Sequence, residues 1–148
     1  MRVTLSDTAR QYIALFEDET GATARDCVVV EDGGEDDDGE ERVVFLVKAD
    51  EMGKAIGSGG ETVRQVEDQL GKPVTLVEND DTAEGFVANA LAPAAVYNVT
   101  ISENDDTVAY AEVDSADTGV AIGEGGRNIA VARQLAKRHF DIDDIQLT

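Results

Sequence analysis

Two glycine-rich octets, Gly53-Lys54-Ala55-Ile56-Gly57-Ser58-Gly59-Gly60 and Gly119-Val120-Ala121-Ile122-Gly123-Glu124-Gly125-Gly126, lie 66 residues apart and agree at six of eight positions. Each contains Ile-Gly-x-x-Gly and leads into an amphipathic helical segment. A repeat in register over such a pattern reads as one module used twice. In a chain of 148 residues this implies two small domains, 1–79 and 80–148.

The elements around the octets repeat as well. Leu5, Ala9, Tyr12, Ile13 and Phe16 recur at helical spacing, with Ser6 or Asp7 available as a cap. Val28 to Glu31 reads as a strand, and Val43 to Val47 as a second strand buried on both faces. Between them the acidic run Asp32 to Glu41 is expected to be a solvated hairpin loop, because it lacks the ligand spacing of a calcium hand. A short segment from Asp50 to Ile56, the glycine turn, a helix over Glu61 to Leu70 and a strand over Val74 to Val77 complete the half, with Gly71 and Pro73 ending the helix. In the second half Asp81 and Glu84 form a candidate capping box for a helix carrying Phe86, Val87, Ala90 and Leu91. Strands over Val96 to Ser102 and Val108 to Val113, a helix over Asn128 to Arg138 and a strand over Ile142 to Leu147 follow. Each half thus has the order α-β-β-α-α-β, an α+β plan with a three-stranded sheet backed by helices.

A glycine turn before a helix has a chemical use. The helix N-terminus offers unpaired N–H groups and a partial positive charge, and glycines let a sugar-phosphate backbone approach without a Cβ in the way. Neither octet fits the Gly-x-x-x-x-Gly-Lys-Ser/Thr spacing of a nucleotide-hydrolysing P-loop. The order α-β-β-α-α-β with Ile-Gly-x-x-Gly between its second and third helices resembles the type II KH domain. Two in tandem, with the stretch Ala121 to Ile129 followed by Ala132-Arg133-Gln134-Leu135-Ala136, resemble the archaeal NusA-like family. The resemblance implies two tandem type II KH domains that clamp single-stranded RNA at the turn, with bases in an apolar groove partly floored by Ile56 and Ile122. The resemblance extends to no counterpart of the polymerase-binding N-terminal and S1 domains of bacterial NusA.

Charge separates the two copies. From Gly125 to Phe140 there is no acid, while Arg127, Arg133, Lys137 and Arg138 all occur. Such a gap in an acidic chain reads as a phosphate-facing surface, although Lys137, Arg138 and His139 also suit a helix C-terminus. The first copy interleaves Lys54, Arg64 and Lys72 with Glu61, Glu67 and Asp68. The expected RNA contacts are Ile56, Gly57, Ser58, Gly59, Gly60 and Arg64 in the first copy. In the second they are Ile122, Gly123, Glu124, Gly125, Gly126, Arg127, Arg133 and Lys137. Glu124 departs from the basic residue usual in a KH loop and opposes phosphate.

The formal charge of −20 argues against a polyanionic partner at low salt. Lysine is scarce, at Lys48, Lys54, Lys72 and Lys137, and acids are spread over both halves, which resembles cytoplasmic proteins of halophiles. At about 1 M salt the Debye length is roughly 3 Å, so net charge hardly acts beyond contact. The single cysteine, Cys27, excludes a disulfide within the chain and sits in an apolar run. No apolar stretch reaches the about 20 residues that cross a bilayer, and a cytoplasmic location is expected.

No catalytic constellation, metal site or cofactor is expected, and His139 has no neighbouring nucleophile in the sequence. The resemblance implies a non-enzymatic RNA-binding factor of transcription termination or antitermination, with RNA polymerase or its elongation complex as a further partner. A KH pair serving ribosome assembly or RNA decay, and a KH-fold module that has exchanged RNA for a protein partner, fit the same residues.

Overall fold

A computed structural model describes residues 5–31 and 41–148; the acidic hairpin expected over Asp32 to Glu41 lies outside the described residues except for Glu41 itself. Chain contacts divide these residues into two compact units, with the boundary along the chain between Asn79 and Asp80. Each is an α+β unit with a three-stranded sheet.

In the first unit α1 (Asp7–Thr20) is opened by Ser6, whose hydroxyl accepts the Ala9 N–H at 3.1 Å, and closed by Gly21 in the left-handed region. Strand β1 (Ala24–Glu31) begins four residues earlier than the apolar run suggests and pairs antiparallel with β2 (Glu41–Val47). Strand β3 (Val74–Glu78) adds to β2 in parallel, giving the order β1-β2-β3. Between β2 and β3 run α2 (Met52–Ile56), a turn of 3-10 helix at Ser58–Gly60, and α3 (Glu61–Leu70). Every residue from Val43 to Val47 is buried, as the unbroken apolar run requires. Phe16 stacks on Phe45 at 4.4 Å between ring centroids, pinning α1 to the centre of the sheet. Cys27 is buried, and its thiol is pushed up to about 12 by desolvation and by the adjacent Asp26 charge.

The second unit repeats the plan with α4 (Ala83–Ala90), β4 (Val96–Glu103), β5 (Thr107–Val113), α5 (Thr118–Ile122), a 3-10 turn at Glu124–Gly126, α6 (Arg127–Phe140) and β6 (Asp144–Leu147). Its sheet order is β4-β5-β6, again antiparallel then parallel. The cap of α4 is Thr82, whose hydroxyl accepts the Gly85 N–H, and not Asp81; Asp80 in turn orients Thr82 by accepting from its N–H and hydroxyl. Helix α6 begins at Arg127 and runs two residues past Arg138, because Asp141 adopts the left-handed closing conformation at φ 55°. That extension delays β6 to Asp144. Unlike β2, β5 alternates, with Ala109, Ala111 and Val113 buried and Tyr110 and Glu112 exposed. The core is completed by Phe86, Leu91, Leu135, Ile142 and Ile145, with Phe86 against Phe140 at 4.9 Å.

Candidate nucleic-acid interface

Both octets fold into the same object. Helix α2 stops at Gly57 (φ 76°, ψ 176°), Gly59 and Gly60 follow in left-handed conformations, and α3 starts. In the second unit α5 stops at Gly123 (φ 80°, ψ 167°), Gly125 and Gly126 repeat those conformations, and α6 starts. The closing bonds match too: Gly57 N–H to Gly53 at 2.9 Å and Gly60 N–H to Gly57 at 3.2 Å, against Gly123 to Gly119 at 2.9 Å and Gly126 to Gly123 at 3.0 Å.

Glycine is obligatory at Gly57 and Gly123. Their φ values exclude most L side chains, and a Cβ there would lie 2.9 Å from the Thr62 amide nitrogen or 2.8 Å from that of Asn128. The following helix therefore folds back directly over the turn. Gly59, by contrast, has open space around it, and a Cβ at Gly125 would meet only the Arg127 Nε, at 4.0 Å. Helices α3 and α6 begin without any side-chain cap, whereas α1 and α4 have Ser6 and Thr82. The Glu61 and Arg127 N–H groups instead donate to the Ser58 and Glu124 carbonyls of the preceding turns, and no side chain covers either helix N-terminus, so its partial positive charge faces outward, which suits an anion.

The turns are held from behind by a pair of carboxylates that the motif alone does not reveal. Glu51 accepts the Thr23 N–H at 2.7 Å, and Asp117 accepts the Ala95 N–H at 2.9 Å, fixing the start of α2 and α5 to the entry of β1 and β4. The Thr23 hydrogen bond is the main reason the Glu51 carboxyl lies below the ordinary carboxylate range. Both acids stand two residues before the first glycine of their octet, so extending the repeat backwards exposes the signal. Asn128 adds a second brace, its Nδ2 donating to the Ala121 carbonyl at 3.1 Å.

Side chains differ around this common backbone. Ile56 and Ile122 are 39% and 40% exposed at the lip of their turns, each following a fully buried alanine, Ala55 or Ala121. Ser58 and Glu124 are exposed at the tips. Arg64 reaches back from α3 to donate to the Gly59 carbonyl at 2.8 Å, keeping a cation over the first turn. Arg127 is the first residue of α6 and half-buried. Arg133 and Lys137 lie farther along α6 and are engaged elsewhere. Arg133 pairs with Asp144 at 2.8 Å and donates through Nη2 to the Ile145 carbonyl at 3.0 Å. Lys137 bonds Asp143 at 2.8 Å and Asp141 at 3.0 Å, contacts that push its ammonium up to about 12. The structure therefore groups Arg64 with the first turn and Arg127 with the second, while Arg133 and Lys137 tie α6 to β6 and to the loop before it.

Among the described residues no group of three or more His, Cys, Asp or Glu is placed to hold a metal ion, and no helix is long and apolar enough to cross a membrane.

Comparison with known proteins places this arrangement. Residues 83–148 match the family model described as the NusA-like second KH domain. The chain is 67% identical over 147 residues to a probable transcription termination protein NusA from Halococcus morrhuae, an alignment covering 99% of each chain. A protein of the same description from Halobacterium salinarum is 64% identical over the full length of both. The crystal structure of APE1850 superposes with a TM-score of 0.82 at 29% identity, covering 97% of this chain and all of the other.

Proposed function

The chain belongs to the NusA family of transcription termination proteins, and from that premise we propose that it is a single-stranded RNA-binding termination or antitermination factor. The finer reading, that residues 1–79 and 80–148 are tandem type II KH domains, is supported by the order α-β-β-α-α-β with one antiparallel and one parallel pairing in both units. One observation supports RNA binding above the others: two uncapped helix N-termini, each preceded by a turn of the same dihedral angles from which a Cβ is sterically excluded.

In this reading an RNA backbone lies across Gly57 to Gly60 and Gly123 to Gly126, with its phosphates at the positive N-terminal ends of α3 and α6. Ile56 and Ile122 provide apolar contact for bases. Arg64 and Arg127 supply charge at the turns, and Arg133 and Lys137 contribute only by exchanging their carboxylate partners for phosphate. Glu124 at the second tip opposes this at low salt, and molar salt shortens the reach of that repulsion to contact distance. The proposed action is recognition without catalysis, in the cytoplasm, on nascent transcripts near RNA polymerase.

The test must not unfold the turn, so Gly57 and Gly123 are poor targets. Ser58→Asp, Gly59→Asp and Gly125→Asp introduce carboxylates at exposed positions, and aspartate is among the residues that tolerate a left-handed backbone. Anisotropy of labelled single-stranded RNA in potassium chloride from tenths molar to several molar is expected to show binding by the native chain and a loss of about tenfold or more in the triple variant. A folded triple variant with native affinity removes the turns from the RNA site. Binding of RNA polymerase that survives ribonuclease treatment, with no RNA affinity at any salt, favours instead a protein-binding KH module, the reading that Glu124 motivates.

A further inference from the structure

Both sheets lose register at the same place. In β1 the irregularity falls between Ala24 and Asp26, and in β4 between Val96 and Asn98, immediately after the equivalent pairs Ala24 with Val47 and Val96 with Val113. One residue in each unit, Arg25 or Tyr97, is thereby bulged out of the ladder. A bulge redirects a side chain and is tolerated where that redirection is useful.

Both bulged residues are exposed, and Tyr97 at 65% is the most exposed large hydrophobic side chain among the described residues. Its ring is nonetheless held. The hydroxyl donates to Asp114 Oδ2, while Asp114 Oδ1 accepts the Ala116 N–H at 2.9 Å. Asp114 also donates its own N–H to Ala95 at 3.0 Å, so the phenol is anchored to the backbone frame that leads into α5. An aromatic face that is exposed and conformationally restricted is prepared for a flat partner, because little side-chain freedom remains to be lost on contact.

Arg25 and Tyr97 differ in charge and polarity but share one property. A guanidinium and a phenol both present a planar π-face, the two kinds of surface on which unstacked nucleic-acid bases settle. The bulge lies at the N-terminal end of α2 or α5 and the glycine turn at its C-terminal end. We propose that the bulge is a second RNA contact in each unit, with Tyr97 and Arg25 stacking on bases outside the segment held by the glycine turn. This rests on the RNA-binding reading of the turns and extends the track beyond them. Stacking neutralises no phosphate and so adds nothing to the salt slope, which suits a chain of charge −20 better than added phosphate contacts would.

The experiment uses the full chain in molar potassium chloride with single-stranded RNAs of about 4 and about 12 nucleotides, the shorter matching one KH clamp. Tyr97→Ala is expected to weaken the longer RNA roughly five- to a hundredfold and the shorter one little. Tyr97→Phe keeps the ring and is expected to retain most affinity, and Arg25→Ala is expected to show the same length dependence with a smaller loss. Native affinity of Tyr97→Ala for the longer RNA, while Ser58→Asp with Gly59→Asp and Gly125→Asp weakens it, overturns the stacking contact and leaves the RNA function standing. Equal losses on both lengths overturn it as well, since they indicate a disturbed unit. Absence of RNA binding by the native chain overturns the functional reading and this inference with it.

Discussion

Residue 67 in the first unit and residue 133 in the second stand ten positions after Gly57 and Gly123, and both join the third helix of their unit to its last strand. Glu67 accepts the N–H of Val74 at 2.9 Å, whereas Arg133 donates to the carbonyl of Ile145. Val74 and Ile145 occupy the same register, opposite Val43 and Ala109. One latch is acidic and the other basic, yet they hold the same strand to the same helix. The turns show the converse, since Ser58 and Glu124 differ while the backbone angles around them agree. What the two units share is therefore backbone geometry, and a side chain's charge is a poor guide to its role wherever the backbone supplies both donors and acceptors.

The sharpest way to break that equivalence is to add a methyl group to each turn. Gly57→Ala and Gly123→Ala both place a Cβ against the first turn of the next helix in a backbone conformation that alanine rarely adopts. The conformational strain alone is about 1–3 kcal/mol, before Thr62 or Asn128 is displaced. Denaturant unfolding is expected to show losses of at least that size in both variants. If one is tolerated, the two turns are not the same structural device.

The latches should separate next. Glu67→Ala leaves the buried Val74 N–H without its acceptor, which costs about 1–3 kcal/mol. Arg133→Ala removes donors from the Ile145 carbonyl and an exposed ion pair with Asp144, and about 0.5–1.5 kcal/mol is expected. Equal losses in the two variants would show that the group each latch satisfies, N–H or carbonyl, does not set its cost. RNA affinity at molar salt is expected to be native in Arg133→Ala, because this guanidinium already has its partners within the unit.

This explains why the repeat was legible in the sequence and the charge map was not. Helix α3 and the octets stand where apolar spacing and glycine place them, since those signals act through local backbone preference. The acid-free stretch from Gly125 to Phe140 reads as one basic surface along the chain. In space it divides between Arg127 at the turn and Arg133 and Lys137 on carboxylates at residues 141, 143 and 144, and only tertiary packing makes that division. The cap of α4 failed for a similar reason. Asp81 and Thr82 both suit an N-cap, and Asp80 tips the balance by orienting the Thr82 hydroxyl. The bulges at Arg25 and Tyr97 leave no trace in one strand's pattern, because a register slip exists only between two strands.

The smallest expected effect isolates the electrostatic difference between the turns. Arg64 crosses back to the Gly59 carbonyl, and the corresponding position seven residues after Gly123 is Ala130. If RNA phosphate passes over both turns, the first unit gains a contact there that the second lacks. Each phosphate contact with single-stranded nucleic acid changes the slope of log affinity against log salt by about 0.7. Arg64→Gln is expected to make that slope shallower by about 0.7, and Ala130→Arg to steepen it by a similar amount, with little change at the highest salt. A reduced slope in the first variant without an increase in the second would mean that Glu124 keeps phosphate off the second turn even when a cation is supplied, and the two copies would then share a backbone but not a ligand.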